Sequence, residues 1–150
     1  MIPTLYVMIG PAGSGKSTIA RLFNPACIVC PDTIRKIMFG SEEDQREPEK
    51  VFERAYKTTE DLLCAGFSVV FDATNTTRWG RKRLLDRVSG IRHKNVAVYM
   101  NTPLEECKRR NEKRERKVPD AVIERQYAQM LKDAWQIPEV FDEIIIIEWN

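Results

Sequence analysis

The chain has 150 residues, 43% of them apolar and 31% charged, with a formal net charge of +2. That is enough for one globular domain, residues 1–150, with a real core, and no apolar run approaches the ~20 residues of a membrane span. Residues 1–9 are too short and lack the basic start of a signal peptide; Cys27, Cys30, Cys64 and Cys107 do not look like a disulfide framework, so a reducing, cytoplasmic setting is expected.

In chain order, residues 5–9 form an apolar, β-prone run that leads into Gly10-Pro11-Ala12-Gly13-Ser14-Gly15-Lys16-Ser17-Thr18. A helix is expected from Ser17, with Ile19, Ala20, Leu22 and Phe23 available to bury, stopping near Asn24-Pro25. Residues 26–30 are a second strand, which makes Cys27 and Cys30 buried strand residues rather than a redox or zinc pair. Pro31-Asp32 opens a short helix ended by Gly40, and residues 41–47 are an acidic turn. Val51, Phe52, Ala55, Tyr56, Thr59, Leu62 and Leu63 share one face of a helix over 49–65, which Gly66 stops.

Residues 67–72 are the third strand, ending in Asp72, and residues 73–77 are a polar loop. A basic helix over 78–89 is expected to bury Trp79, Leu84, Leu85 and Val88. His93 precedes the fourth strand, residues 96–100, and reads as surface. Thr102, Pro103 and Glu105 have the spacing of an N-cap, first turn and capping box. That helix runs into the charged tract 108–117. Pro119 starts another, with Val122, Ile123, Tyr127, Met130, Leu131 and Trp135 on its apolar side. Ile144 to Ile147 form a fifth strand, apolar on both faces and expected to be well covered. Strands alternating with helices predict a parallel five-stranded α/β sheet with right-handed crossovers, its ligand beyond the carboxyl ends of the strands.

The glycine stretch fits G-x-x-x-x-G-K-[ST] between a strand and a helix, the phosphate-binding loop. Gly10, Ala12, Gly13, Ser14 and Gly15 let successive amides point at phosphate oxygens, Lys16 reaches the β- and γ-phosphates, and Ser17, beside Thr18, offers a hydroxyl to Mg²⁺. The expected ligands are therefore ATP and Mg²⁺. Asp32 follows strand two, where a carboxylate can take a hydroxyl proton from an acceptor; Arg35, one helical turn on, can hold an acceptor phosphate. Capping of a helix is the alternative for Asp32. Asp72 fits a carboxylate that holds Mg²⁺ directly or through water, or else a structural role with Asn75. Arg109, Arg110, Arg114 and Arg116 sit where a lid, about residues 108–118, would close, and one or two of them would stabilise charge on the transferring group. Charge is uneven: residues 78–117 hold 14 Lys/Arg against 5 Asp/Glu, and the other 110 residues hold 10 against 17. That pattern suits a polyanionic ligand, a cationic lid over ATP or a solvated helix face.

Taken together, the glycine loop, Pro31-Asp32-x-x-Arg35, Asp72-Ala73-Thr74-Asn75 and Arg110-Asn111-x-x-Arg114 followed by Val118-Pro119 resemble the kinase domain of phage-type polynucleotide 5′-kinases. The resemblance implies an adenylate-kinase-like P-loop fold with a basic lid. It implies ATP and Mg²⁺ at Lys16 and Ser17, Asp32 as general base on a 5′-hydroxyl, Arg35 on the acceptor's adjacent phosphate and Arg114 on ATP phosphates. It gives Asp72 a supporting role. The D-x-D-G-T motif of the phosphatase domain that often accompanies such kinases does not occur in the chain, so no 3′-phosphatase activity is expected. The substrate implied is a 5′-hydroxyl nucleic-acid end, DNA or RNA. A kinase of a nucleoside or small metabolite fits the same loop and Asp32/Arg35 pair; a nucleotide-binding switch without transfer fits the loop alone.

Overall fold

A strand buried on both faces needs apolar residues on both sides of its pleat, and β1 (Thr4–Ile9) has them: Leu5, Val7, Met8 and Ile9 are all fully buried. The computed structural model describes residues 1–23, 25–42 and 44–149. β1 is joined by β2 (Cys27–Val29), β3 (Val69–Phe71), β4 (Lys94–Asn101) and β5 (Glu143–Glu148) in one sheet of order β2-β3-β1-β4-β5. All four pairings are parallel, and β1 is central, with Leu5 opposite Val69 on one side and Asn95 on the other.

The connections are α1 (Lys16–Ala20), α2 (Pro31–Phe39), α3 (Pro48–Cys64), α4 (Arg78–Val88), α5 (Leu104–Glu112), α6 (Asp120–Asp133) and α7 (Ile137–Val140), with a 3₁₀ turn, Ala134–Gln136, between the last two. The two-residue strand period separates two cores. Leu5, Val7, Ile9, Val69 and Phe71 pack against Tyr56 and Leu63 of α3, Leu84 and Val88 of α4 and Met130 of α6. Met8, Val70, Val98 and Met100 pack on the other face, against Ala20 with Ile19 and Phe23. The expected parallel sheet with helices on both faces is the fold observed. Among the described residues no helix is long and apolar enough to cross a membrane.

Several local expectations are corrected. β5 is an edge strand paired with β4, and Ile146 is 57% exposed rather than covered. Trp79, Leu131 and Trp135, expected in the core, are exposed, as is Leu22 beyond α1. Leu85 is half-buried. Cys27 and Cys30 are free and half-buried, Cys30 standing at the N-cap of α2. Thr102 does not cap α5; Pro103 holds that position, and the Thr102 hydroxyl donates to the Ser14 carbonyl at 2.9 Å. The helix stop expected at Asn24, and Glu43 within the expected acidic turn, lie outside the described residues.

Candidate active site

The carboxyl ends of β1, β2 and β3 open into one cleft of about 810 Å³. From the loop it gathers Ala12, Gly13, Gly15, Lys16, Ser17 and Thr18; from beyond β2, Asp32 and Arg35; from beyond β3, Asp72; and from the basic tract, Arg110 and Arg114. These residues are far apart in sequence and meet because each follows a strand end or sits on the helix above it. Gly10 and Ser14, expected among the nucleotide-binding residues, do not line the cleft. The Gly10 amide donates to Thr74 O at 3.0 Å, and Ser14 is fully buried.

The backbone geometry of the loop requires its glycines. Gly13 (φ +82°) and Gly15 (φ +94°) occupy left-handed backbone, and a Cβ on Gly13 would stand 2.3 Å from the Cys107 carbonyl oxygen. The loop is braced from β4 and α5. Ser14 O accepts from Thr102 Oγ1 and, at 3.2 Å, from Arg110 Nη1. Arg110 is aimed by Glu106, whose carboxyl is held at about 2, well below the ordinary range, by Arg109 first and Arg110 after it. The Arg109 guanidinium pairs with Glu106 rather than lining the cleft.

Lys16 Nζ donates to Pro11 O at 2.8 Å, so the ammonium folds back over the loop. Burial lowers it to about 8, against the pull of Asp72 upward; the nearby Arg114 adds to the lowering. The Ser17 hydroxyl donates to Asp72 Oδ2 at 2.9 Å. That pair presents hydroxyl and carboxylate oxygens beside the loop, a hard-oxygen donor set that suits Mg²⁺. The Ser14 hydroxyl is buried without a partner among the described residues, and the ideal Cβ of Gly10 would lie 2.5 Å from it. The loop's residues thus fit a bound triphosphate: curled backbone, a cation and a hydroxyl–carboxylate pair on one concave surface.

On the opposite wall Asp32 stands in the first turn of α2, after Pro31 and the N-cap Cys30. It is not the cap. Its Oδ1 accepts from Arg35 Nη1 at 2.6 Å and its Oδ2 from Arg116 Nη1 at 3.4 Å. Arg35 is almost buried, its guanidinium 5.7 Å from the centroid of the Phe52 ring. Phe52, Gln45, Val118 and Val122 also line the cleft.

Three side chains have roles that the sequence did not assign, although Asn111 stands within Arg110-Asn111-x-x-Arg114. Gln126 Oε1, from α6, accepts the Ala12 amide at 2.9 Å. Asn111 holds both the amide and the carbonyl of Val118, at 3.1 and 2.8 Å, and so closes the loop that carries Arg114 and Arg116. Arg81, fully buried, donates to the carbonyls of Asn75 and Asp133, each at 2.8 Å, and to Gln136 Oε1 at 3.2 Å. Asn75, in left-handed backbone at φ 47°, donates to Met8 O at 2.8 Å, so Arg81 and Asn75 together set the loop after Asp72.

Residues 5–134 match the family described as an AAA domain, AAA_33. The chain belongs to that family. With its sheet order and glycine loop it is a P-loop kinase domain. It is 26% identical over 149 residues to the L-seryl-tRNA(Sec) kinase of Methanococcus maripaludis, a match covering 91% of this chain and 57% of that protein. A chain of the Pnkp1/Rnl/Hen1 RNA repair complex superposes with TM-score 0.82 at 23% identity, over 90% of this chain and 46% of that one. Shikimate kinase from Acinetobacter baumannii, in complex with shikimate, superposes with TM-score 0.60 at 17% identity, over 100% and 86%. This chain therefore spans about half the length of the first two, and the structural likenesses speak for the fold.

Proposed function

We propose that this domain transfers the γ-phosphoryl group of ATP to the 5′-hydroxyl end of a polynucleotide. The observation that carries the reading is Arg35: a nearly buried guanidinium fixed between Asp32 and the Phe52 ring, across the cleft from the phosphate loop. A cation held there suits an acceptor whose reacting alcohol has a phosphate next to it, as a nucleic-acid end does. The likeness to the RNA repair chain and the identity with a kinase of seryl-tRNA support an acceptor attached to nucleic acid.

In this reading the Asp32 carboxylate takes the proton of the attacking hydroxyl as the new O–P bond forms and the β–γ bridge oxygen departs with ADP. Arg35 holds the neighbouring acceptor phosphate. Lys16 and the loop amides hold the β- and γ-phosphates. Ser17 and Asp72 would hold Mg²⁺, which supplies charge neutralisation to the phosphates. Arg110 stays on the loop, while Arg114, on the segment 108–118 that we take as a lid, faces the transferring group. Arg116 then has a role of its own: it pairs with Asp32 when no acceptor is present and gives way to the hydroxyl.

Labelled ATP offered with a 5′-hydroxyl oligonucleotide, a nucleoside, shikimate and gluconate tests the reading in one assay. Label on the oligonucleotide supports it. Label on a small alcohol, with none on the oligonucleotide, identifies a small-metabolite kinase instead, and acceptor-independent phosphate release identifies a switch ATPase.

A further inference from the structure

Outside the cleft, the most unusual surface lies where α4 begins and α6 ends. The Arg78 guanidinium sits 5.3 Å from the Trp79 ring centroid and 5.8 Å from that of Trp135. Trp79 is 62% exposed and Trp135 56%, so neither indole is explained by core packing. The segments that carry them are firmly joined: the Arg78 amide donates to Asp133 Oδ2 at 2.9 Å, and buried Arg81 spans the Asn75 and Asp133 carbonyls directly behind. The backbone that carries two indoles and a cation is therefore joined at this surface, and the three side chains meet there.

The charge there is also unspent. Much of the excess in residues 78–117 is tied up in ion pairs, including Arg83 with Glu49, Arg87 with Glu53 and Lys108 with Glu124. Among the described residues the Arg78 guanidinium takes part in no ion pair.

The position follows from α6. Val122 and Gln126 line the cleft, Gln129 Oε1 accepts from Thr76 Oγ1 at 3.3 Å, and Asp133 accepts from Arg78. These four residues recur at helical spacing and form one stripe along α6. From Gln126 to Asp133 the stripe rises about 10 Å. The aromatic surface is thus the outer end of a wall whose inner end is the cleft.

We propose that Trp79, Arg78 and Trp135 form a stacking platform for single-stranded nucleic acid, binding bases a few nucleotides from the end that enters the cleft. Every base offers a face to an indole, and a guanidinium between two indoles can take the backbone phosphate that joins two stacked bases. Recognition would be tolerant of sequence and sensitive to salt. The inference rests on the polynucleotide reading above.

The test compares acceptors of different length: a nucleoside 3′-monophosphate, which fills the cleft alone, and a single-stranded dodecamer with a 5′-hydroxyl. For the unaltered protein the dodecamer should have the lower KM. In Trp79→Ala/Trp135→Ala its KM should rise about fivefold or more per indole, with kcat and the mononucleotide KM unchanged. Trp79→Phe/Trp135→Phe should restore most of the length advantage, and Arg78→Ala should reduce its salt dependence. An unchanged dodecamer KM in the double alanine variant overturns the platform while leaving the kinase reading intact. A variant that sediments differently but keeps the length dependence marks the surface as a protein contact, which also overturns it. Failure of the unaltered protein to phosphorylate either acceptor overturns both readings together.

Discussion

Burial leaves the Lys16 ammonium with a pKa of about 8, so the ligand-free protein keeps most of that charge at neutral pH and loses it above about pH 8. Phosphate oxygens beside it would push the value back up, and binding then takes up a proton. The sign follows: nucleotide affinity is full below about pH 8 and falls above it, by up to about tenfold per pH unit, until the bound-state value is passed. Titrating ADP from about pH 7 to about pH 9.5 measures this, and a dissociation constant that does not move with pH contradicts it. Asp32 and Arg35 divide their effects differently. Asp32→Ala should lower kcat by about 10²–10⁴-fold with little change in acceptor KM, since the base acts in the transition state. Wild-type turnover in that variant would remove Asp32 from the role of base. Arg116, paired with Asp32 across 84 positions of sequence, could not be singled out from its neighbours in the charged tract; only the closed loop brings it there.

At the scale of elements, the phosphate loop depends both on its own glycines and on the bracing from β4 and α5. Gly13→Ala forces a Cβ against the Cys107 carbonyl at a left-handed position, so it should move the loop relative to α5 and abolish detectable ADP binding by calorimetry. Retained binding would show that α5 yields. Asn111→Ala removes both bonds to Val118 and frees the segment with Arg114 and Arg116; transfer should slow about tenfold or more through lost positioning. An unaltered kcat would mean that the segment orders itself. Arg81→Met leaves the buried Gln136 Oε1 and two partly buried carbonyls without their donor, and a loss of about 3 kcal/mol is expected, read as a melting temperature lower by about 6 °C or more. The elements themselves were largely legible: the apolar face of α3 and the strand–loop–helix of β1 and α1 depend on local period. What misled was position. Four isoleucines serve a central or an edge strand equally well, and only the sheet order puts β5 outside. Trp79 and Trp135 fit an apolar helix face, but their neighbours in space are Arg78 and solvent. The Thr102 hydroxyl was claimed by Ser14, 88 residues away, before it could cap its own helix.

For the molecule as a whole, the strand ends converge as the parallel topology requires, and the cleft joins loop, Asp32, Asp72 and the basic tract. The charge asymmetry of the sequence proved less polar in space, because acidic residues of α3 and α6 neutralise much of it through contacts that sequence order conceals. From that tract the cleft keeps Arg114, close enough to lower the Lys16 pKa, while Arg35 of α2, paired with Asp32, lines it beyond β2. One ratio tests whether Arg35 selects an acceptor that carries a phosphate on the same sugar as the reacting hydroxyl. Measured with ATP as donor, kcat/KM for a nucleoside 3′-monophosphate should exceed that for the parent nucleoside by about 10- to 100-fold, the worth of a charge-assisted hydrogen bond. Arg35→Ala should collapse the ratio to about one, chiefly through KM. Equal kcat/KM for the two acceptors in the unaltered protein, or a ratio that survives Arg35→Ala, would contradict the account.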